Sequence, residues 1–358
     1  MAPECSYRPP PSVTRYWLPA SSKTAARSCY VPDIQGESAA DRSFRFVCSH
    51  NLSRRVGPIS AEGWFGGRKG GSAEGRLNRA PGSVPRVSNH SSESAPRQPL
   101  DLARLRREVA ASLPLFGAID VVESTGSTNA DLVARATASP RDTGVLVAEA
   151  QEAGRGRHAR NWVSPPRAQI SMSMLVRPHG IDPAALGWLP LLTGIAVVDA
   201  LRGTAGVDAK LKWPNDVLIG GRKVAGILAE VAAGPPAPAI VVGVGVNVSM
   251  TEAELPVPHA ISLALAQAST LDRTELILAL LTEFARRFTA WRETGWAVDD
   301  LAAAYRAHCA TLGARVRAEL PGGEVLTGVA SDVDEHGRLI VGDRALSAGD
   351  VTHLRAEY

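Results

Sequence analysis

What this chain can fold into is bounded first by a change of pattern near residue 98. Before it, stretches such as RPPPS, GGRKGGS and SNHSSESAPR are rich in Gly, Pro and Ser, and no apolar period is sustained. After it, apolar residues recur at helix or strand spacing almost to the C-terminus. Residues 1–97 therefore read as a disordered extension, or as sequence upstream of the true start. Charge divides at the same place. Residues 1–97 carry 14 basic and 7 acidic side chains, and residues 98–358 carry 25 and 29. The folded part is mildly acidic, so a nucleic-acid surface on it would have to be local. Its length leaves room for one large domain and a smaller one.

The pattern after residue 98 is mixed. LDLARLRREVAASL spaces Leu102, Leu105, Val109 and Leu113 three and four apart, which predicts an amphipathic helix opened by Asp101. AIDVVES predicts a strand, STNADLVARATAS a helix capped near Ser127 or Thr128, and GVLVAEAQ a buried strand. AQISMSMLVR alternates as a strand, and PAALGWLPLLTGIAVVDALRG predicts one long buried helix. DAKLKW, DVLI, KVAGILAEV and AIVVGVGVNV are strands, with a tight hairpin at Gly220-Gly221. TELILALLTEFARRFTAWRET and DDLAAAYRAHCA are helices. From Leu312 onward, short alternating strands between Gly-rich turns predict a small β-barrel.

Two segments carry chemistry. EAGRGRHARNW, residues 152–162, sets Arg155, Arg157 and Arg160 around Gly154 and Gly156. Such glycines let backbone N–H groups approach an anion, and arginine offers a planar fork for carboxylate or phosphate. Alone, such a loop reads more readily as a solvated basic turn than as an anion site. The second segment is AKLKWPNDVLIGGRK. Residues 98–358 contain 22 arginines and three lysines, and all three lysines (Lys210, Lys212 and Lys223) fall inside it. In a chain so biased to arginine, a lysine suggests work for a compact point charge, above all at Lys212 and Lys223; Lys210 is also compatible with a solvated strand position. Trp213-Pro214-Asn215-Asp216 is rigid, aromatic and polar at a strand junction, where side chains commonly project into a site.

KWPNDVLIGGRKVAGILAE, with GRGRHARNWVSP, STNADL and GVGVNV, resembles the biotin protein ligases over about residues 100–357. The resemblance implies an α/β catalytic domain related to class II aminoacyl-tRNA synthetases over 98–311, and an SH3-like barrel over 312–358. It implies two reactions. The biotin carboxylate attacks the α-phosphate of ATP, giving biotinyl-5′-AMP and pyrophosphate. A carrier lysine then displaces AMP. Two unit charges ~4 Å apart repel by about 1 kcal/mol in water and about 4 kcal/mol at an effective dielectric of 20, so fixed cations are needed, and Mg²⁺ is expected to help neutralise the phosphates.

Carried onto this sequence, Gln151, Gly154, Arg155, Gly156 and Arg157 form the ligand loop, which closes over the labile adenylate. Lys223 matches the lysine that contacts both the biotin carboxylate and the α-phosphate. Ser127, Thr128 and Asn129 match the element that bonds the ureido head. Trp162, Trp213 and the glycines of GVGVN shape the walls or the adenine site, and Asn247 faces the nucleotide. Lys212, Asn215 and Gly226 complete the site. Asp216 orients the acceptor amine and takes its proton, or instead holds the strand junction or Mg²⁺. No protein ligand to a metal is assigned. The implied partner is a biotin carboxyl carrier domain of an acyl-CoA carboxylase. Many relatives have an aromatic and a glycine after Trp-x-Ser-Pro, where this chain has Pro166-Arg167-Ala168; Arg167 is a further candidate cation. Lipoate ligases and octanoyltransferases share the fold, and some ligases double as repressors through a winged helix-turn-helix. Residues 1–97 lack trihelical periodicity, so sequence-specific DNA binding is not expected.

Other features are read as incidental. His158 has no sequence partner, and Glu152 balances the loop charge. His308 and Cys309 lie on a helix as core or surface residues. Trp291 and Trp296 pack. Asp332, Asp334 and Glu335 make a turn without EF-hand spacing. The four cysteines show no metal-site spacing, and Cys309 reads as a free thiol. No run of 18 apolar residues and no secretory signal pattern occurs. Acids at Glu4, Asp33, Glu37 and Asp41 oppose a transit peptide, so a cytoplasmic location is the expectation.

Overall fold

The computed structural model describes residues 96–354, apart from 140–141, 158–159, 233–238, 321 and 348. The expectations for residues 1–95 and for His158 lie outside the described residues; Arg97, expected in the disordered extension, is instead bonded to Ser249 and Glu254 of the folded part.

Asp101 opens α1 (Leu102–Ser112), its carboxylate accepting from the Arg104 N–H, and Leu105 and Val109 form the buried stripe. Strand β1 (Ile119–Val122) and helix α2 (Thr128–Ala138, capped by Ser127) precede the buried β2 (Gly144–Ala148) and β3 (Gln169–Val176). The long helix expected from Pro183 divides into a 3-10 turn, Pro183–Gly187, and α3 (Trp188–Ala205). Then come β4 (Ala209–Lys212), β5 (Asp216–Ile219), β6 (Arg222–Ala232) and β7 (Ala239–Asn247). Gly220 and Gly221 make the β5–β6 turn with φ of 57° and 77°, the left-handed pair that a two-residue hairpin requires. Helices α4 (Arg273–Glu293) and α5 (Asp299–His308) follow. Cys309 lies just beyond α5, not within it, and bridges to Leu211.

The seven strands form one sheet in the order β1-β2-β3-β7-β6-β5-β4, parallel only between β1 and β2. Strand side chains alternate between faces. Ile170, Met172, Met174 and Val176 of β3, Ile240, Val242, Val244 and Val246 of β7, and Ala225 and Ile227 of β6 enter the main core with α1, α3 and α4. α3 is apolar on nearly every side because it runs through that core; its length and composition alone would also suit a membrane span. The opposite face receives Gln169, Ser171 and Ser173 from β3, and Gly243, Gly245 and Asn247 from β7. α2 covers part of it through Leu132 and Ala136, which cluster with Leu146, Leu175 and Val241. The remainder of that face holds the cavity described below.

A second sheet follows, in the order β11-β10-β9-β8-β12 and antiparallel throughout: β8 (Arg315–Glu319), β9 (Val325–Val333), β10 (Leu339–Val341), β11 (Arg344–Leu346) and β12 (Asp350–His353). Two tryptophans pin its β9–β10 turn. The indole N–H of Trp188 donates to Glu335 O at 2.7 Å, and that of Trp213 to Gly337 O at 3.0 Å. Arg306 adds an ion pair with Asp332. Trp291 and Trp296 pack edge to face, as expected.

Candidate functional site

A cavity of about 530 Å³ opens on the face of the large sheet away from the main core. Its floor is backbone. A Cβ added to Gly245 would lie 2.4 Å from the Trp162 ring, so the indole lies directly on that glycine. Trp162 is held there by its Nε1–H, which donates to Gln169 Oε1 at 2.8 Å. Gly226 lies beneath both Trp162 and Lys223.

One end of the cavity is a buried polar array. Ser127 caps α2, and Thr128 and Asn129 occupy its first turn. The Thr128 N–H donates to Gln151 Oε1 at 2.9 Å, and Thr128 Oγ1 lies 2.7 Å from Ser173 Oγ. Ser173 donates to Asn129 Oδ1 at 2.6 Å. Asn129 Nδ2 in turn donates to Leu228 O and, at 2.7 Å, to Glu230 Oε2. Glu230 reaches the arginine loop, 3.8 Å from Arg155. The links among Thr128, Asn129 and Ser173 join buried groups that would be costly to leave unpaired.

The other end is cationic. Lys223 Nζ lies 2.5 Å from Asp216 Oδ1 and 5.5 Å from the Trp162 ring centroid. Lys212 Nζ lies 3.9 Å from Asp216 Oδ2, so one carboxylate stands between two ammonium groups. Burial pushes the Lys212 amine below its usual value, against the pull of Asp216. Burial likewise lowers the Arg157 guanidinium, opposed by Asp350 and Asp216. Arg157 donates to Asn215 Oδ1 at 3.1 Å and to Gly349 O at 3.4 Å, and Arg160 pairs with Asp350. The second sheet thus supplies part of the wall.

The sequence candidates are brought together with few exceptions. Ser127, Thr128, Asn129, Gln151, Arg155, Gly156, Arg157, Trp162, Lys212, Trp213, Asn215, Asp216, Lys223, Gly226 and Asn247 all line the cavity. Gly154 does not; it packs behind the wall, against the Trp162 carbonyl and Gln151. Trp213 is 2% exposed and spends its N–H on the second sheet. Asn247 donates to Ile261 O.

Two expectations are corrected. Glu152 accepts from Ser124 Oγ, and the carboxylate that meets Arg155 is Glu230. Arg167 pairs with Glu123, outside the cavity lining, and has φ of 60°, so it adopts the backbone conformation a glycine would favour. Lys210 pairs with Asp208 at the surface, the solvated strand position left open for it.

Sequence reasoning missed Glu230, Ser173 and Gln169. The signal was present in the two-residue alternation of β3 and β6, but only knowledge of which face is occupied makes it readable. It also missed Asp350, whose sequence context carries no motif. Among the described residues no group of three or more His, Cys, Asp or Glu is placed to hold a metal ion.

Residues 120–247 match the biotin/lipoate A/B protein ligase family, and residues 311–354 match the biotin protein ligase C terminal domain. The biotin--[acetyl-CoA-carboxylase] ligase of Mycobacterium tuberculosis is 46% identical over 267 residues, which span 72% of this chain and 97% of that protein. The chain belongs to the biotin protein ligase family. Among solved structures, the biotin protein ligase from Aquifex aeolicus in complex with biotin and ATP superposes with a TM-score of 0.56 at 25% identity, covering 67% of this chain and all of that one. The bifunctional ligase/repressor BirA of Bacillus subtilis is 40% identical, but over 114 residues that make up 34% of its length. The α/β fold expected from the motifs, with a small C-terminal β domain, is the fold of this ligase.

Proposed function

We propose that this ligase activates biotin with ATP in the cavity above the large sheet and transfers it to a lysine of a biotin carboxyl carrier domain, acting as a monofunctional enzyme in the cytoplasm. The observation that carries this reading is the division of one cavity into a neutral, hydrogen-bonding end and a cationic end. Ser127, Thr128, Asn129 and Gln151 suit a ureido group, which both donates and accepts. Trp162 and the glycine floor suit an apolar bicycle.

Lys223 then meets the carboxylate. An oxygen of that carboxylate attacks the α-phosphorus, the bond to the bridging oxygen breaks, and pyrophosphate leaves with the electron pair. Lys223, Lys212, Arg155 and Arg157 offset the converging negative charge. Mg²⁺ arriving with ATP would lower that charge further. Such an ion is held mostly by phosphate and water with one or two carboxylates, and Asp216 and Asp350 are the carboxylates of the cavity lining that fit this pattern.

Drawing Lys223 onto the new anions frees Asp216 from its 2.5 Å partner. In the second step the neutral carrier amine attacks the acyl carbon, the acyl–oxygen bond to AMP breaks, and Asp216 takes the amine proton.

The test incubates the protein with ATP, Mg²⁺ and either biotin or lipoate, and measures AMP and pyrophosphate. Biotin-dependent pyrophosphate release is expected. AMP formation with lipoate but not biotin would reverse the choice of acid. Cell fractionation tests the location, and a gel shift on promoters of biotin-synthesis operons tests the expected absence of sequence-selective DNA binding.

A further inference from the structure

We infer that Arg97, at the threshold of the folded part, is a positioning residue for the nucleotide end of the cavity, acting through the loop of residues 249–260. The inference rests on the ligase reading for the identity of the substrate it affects.

The arm is fixed from behind. Gln98 O accepts from Arg273 Nη2 at 2.7 Å, and the Leu100 N–H donates to Glu149 Oε1 at 2.7 Å. Arg273 and Glu149 form an ion pair at 2.6 Å with side chains only 6% and 3% exposed. Residues 98–100 are therefore tied to a buried charge pair, and Arg97 extends from a rigid base.

Its guanidinium takes three bonds, all on one loop. Nε donates to Ser249 Oγ at 3.0 Å. Nη2 donates to Ser249 O at 3.1 Å and to Glu254 Oε2 at 2.6 Å. The same Glu254 oxygen accepts from the N–H and the hydroxyl of Thr251, closing the turn. The Arg97 guanidinium is the main cause holding the Glu254 carboxyl below its usual range.

The far side of this loop is cavity wall. Pro256, Val257, His259 and Ala260 line it, and Val257 is 38% exposed. The loop is stitched to the backbone of the central lysine: the Lys223 N–H donates to His259 O at 2.8 Å, and the Ile261 N–H donates to Lys223 O at 2.9 Å. Ser127, Thr128 and Asn129 line the neutral end, and Lys223 marks the junction of carboxylate and phosphate. A wall attached at Lys223 by a different segment therefore faces what lies beyond that junction, the nucleotide. Without Arg97, the turn at 251–254 loses its outer anchor, and the apolar edge at 256–257 is free to shift while the biotin end is untouched.

The experiment compares the full chain with R97A and R97K. Biotin-dependent pyrophosphate release gives kcat and both KM values, and digestion with a glutamyl endopeptidase probes Glu252 and Glu254. For R97A we expect the KM for ATP to rise roughly threefold to tenfold, the size of one ordinary net hydrogen bond, because Arg97 reaches the nucleotide only through the loop. The KM for biotin and kcat should stay within about twofold, and the melting temperature within about 2 °C. Cleavage of the loop should accelerate, and R97K should recover part of both effects. An unchanged KM for ATP sinks the idea. So does a parallel rise in both KM values with a fall in melting temperature, which marks a merely structural role. If the unaltered chain releases no pyrophosphate with biotin, the ligase reading fails separately. The digestion still decides whether Arg97 braces the loop, since equal cleavage of R97A and the unaltered chain overturns it.

Discussion

At the scale of single residues the proposed site turns on Lys223, whose ammonium rests on Asp216. On the proposed mechanism, removing it takes away the charge that bridges carboxylate and triphosphate. Lys223→Ala is expected to lower adenylate formation by about 10²–10³-fold, the range for loss of one preorganised electrostatic contact, measured as biotin-dependent pyrophosphate release. Asp216→Ala should weaken transfer to the carrier more than adenylate formation; equal losses in single-turnover assays of the two steps would remove the proton-accepting role. Gly245 offers a different kind of test. Its missing Cβ is the space the Trp162 ring occupies, so Gly245→Ala must displace that ring and break its bond to Gln169. The expected result is a higher KM for biotin with a nearly unchanged KM for ATP. Lys212 and Lys223 were legible because they are lysines in an arginine-rich chain, within a motif. Glu230 was not, because an exposed-looking acid on a strand looks the same whether its side chain enters solvent or a polar array.

At the scale of elements, period and caps foretold most of what formed. Asp101 and Ser127 cap the helices they were expected to open, and the paired glycines turn the hairpin. The alternation in AQISMSMLVR was visible, but its usual meaning, one face buried and one wet, failed here. Gln169, Ser171 and Ser173 are buried too, because α2 and the cavity wall cover that face. Pro183 and Gly187 sit in a 3-10 turn ahead of α3, where apolar content alone had suggested a single helix. Strand β12 yields a pH prediction. Burial, and secondarily the charge of Lys212, lower the His353 imidazole below its usual value, and Thr311 Oγ1 lies 3.0 Å from its Nε2. Below the ordinary histidine range, near pH 6.5, the unfolded chain binds a proton that the folded chain refuses. Stability therefore falls as pH drops from that range toward the lowered folded-state value. His308, lowered chiefly by burial, acts in the same direction. Thermal melts from pH 8 to pH 5 should show His353→Gln losing less stability on acidification than the unaltered protein. Identical slopes would exclude His353 as a contributor.

At the scale of the whole molecule, the two sheets share one site, and this was the least legible part of the sequence. The motifs lie on the large sheet, whereas Gly349, Asp350, Val351 and Thr352 complete the cavity from the small one. Nothing in the spacing of those residues announces it, because the contact depends on how one sheet is docked on the other. The docking itself runs through Trp213, the tryptophan of KWPND. Its motif suggested a wall for the ligand, yet its one polar atom is committed to Gly337 O, and its backbone N–H donates to Thr311 Oγ1 at 3.0 Å. A residue between the lysine and the aspartate of the site thus fixes where the second sheet stands, so packing at the junction and chemistry in the cavity are joined by three residues of chain. Trp213→Phe keeps an aromatic ring but loses the indole N–H and one fused ring, leaving a buried carbonyl without its donor, at a cost of about 1–3 kcal/mol, with a small cavity adding to it. The melting temperature should fall by a few degrees. The loss should extend to the cavity, because Arg157 and Arg160 are held by Gly349 and Asp350 of the displaced sheet. Adenylate should then leak into solution faster than from the unaltered enzyme, a rate that release of labelled biotinyl-AMP would measure. A lower melting temperature with unchanged retention would mean that the small sheet stabilises the fold without guarding the intermediate.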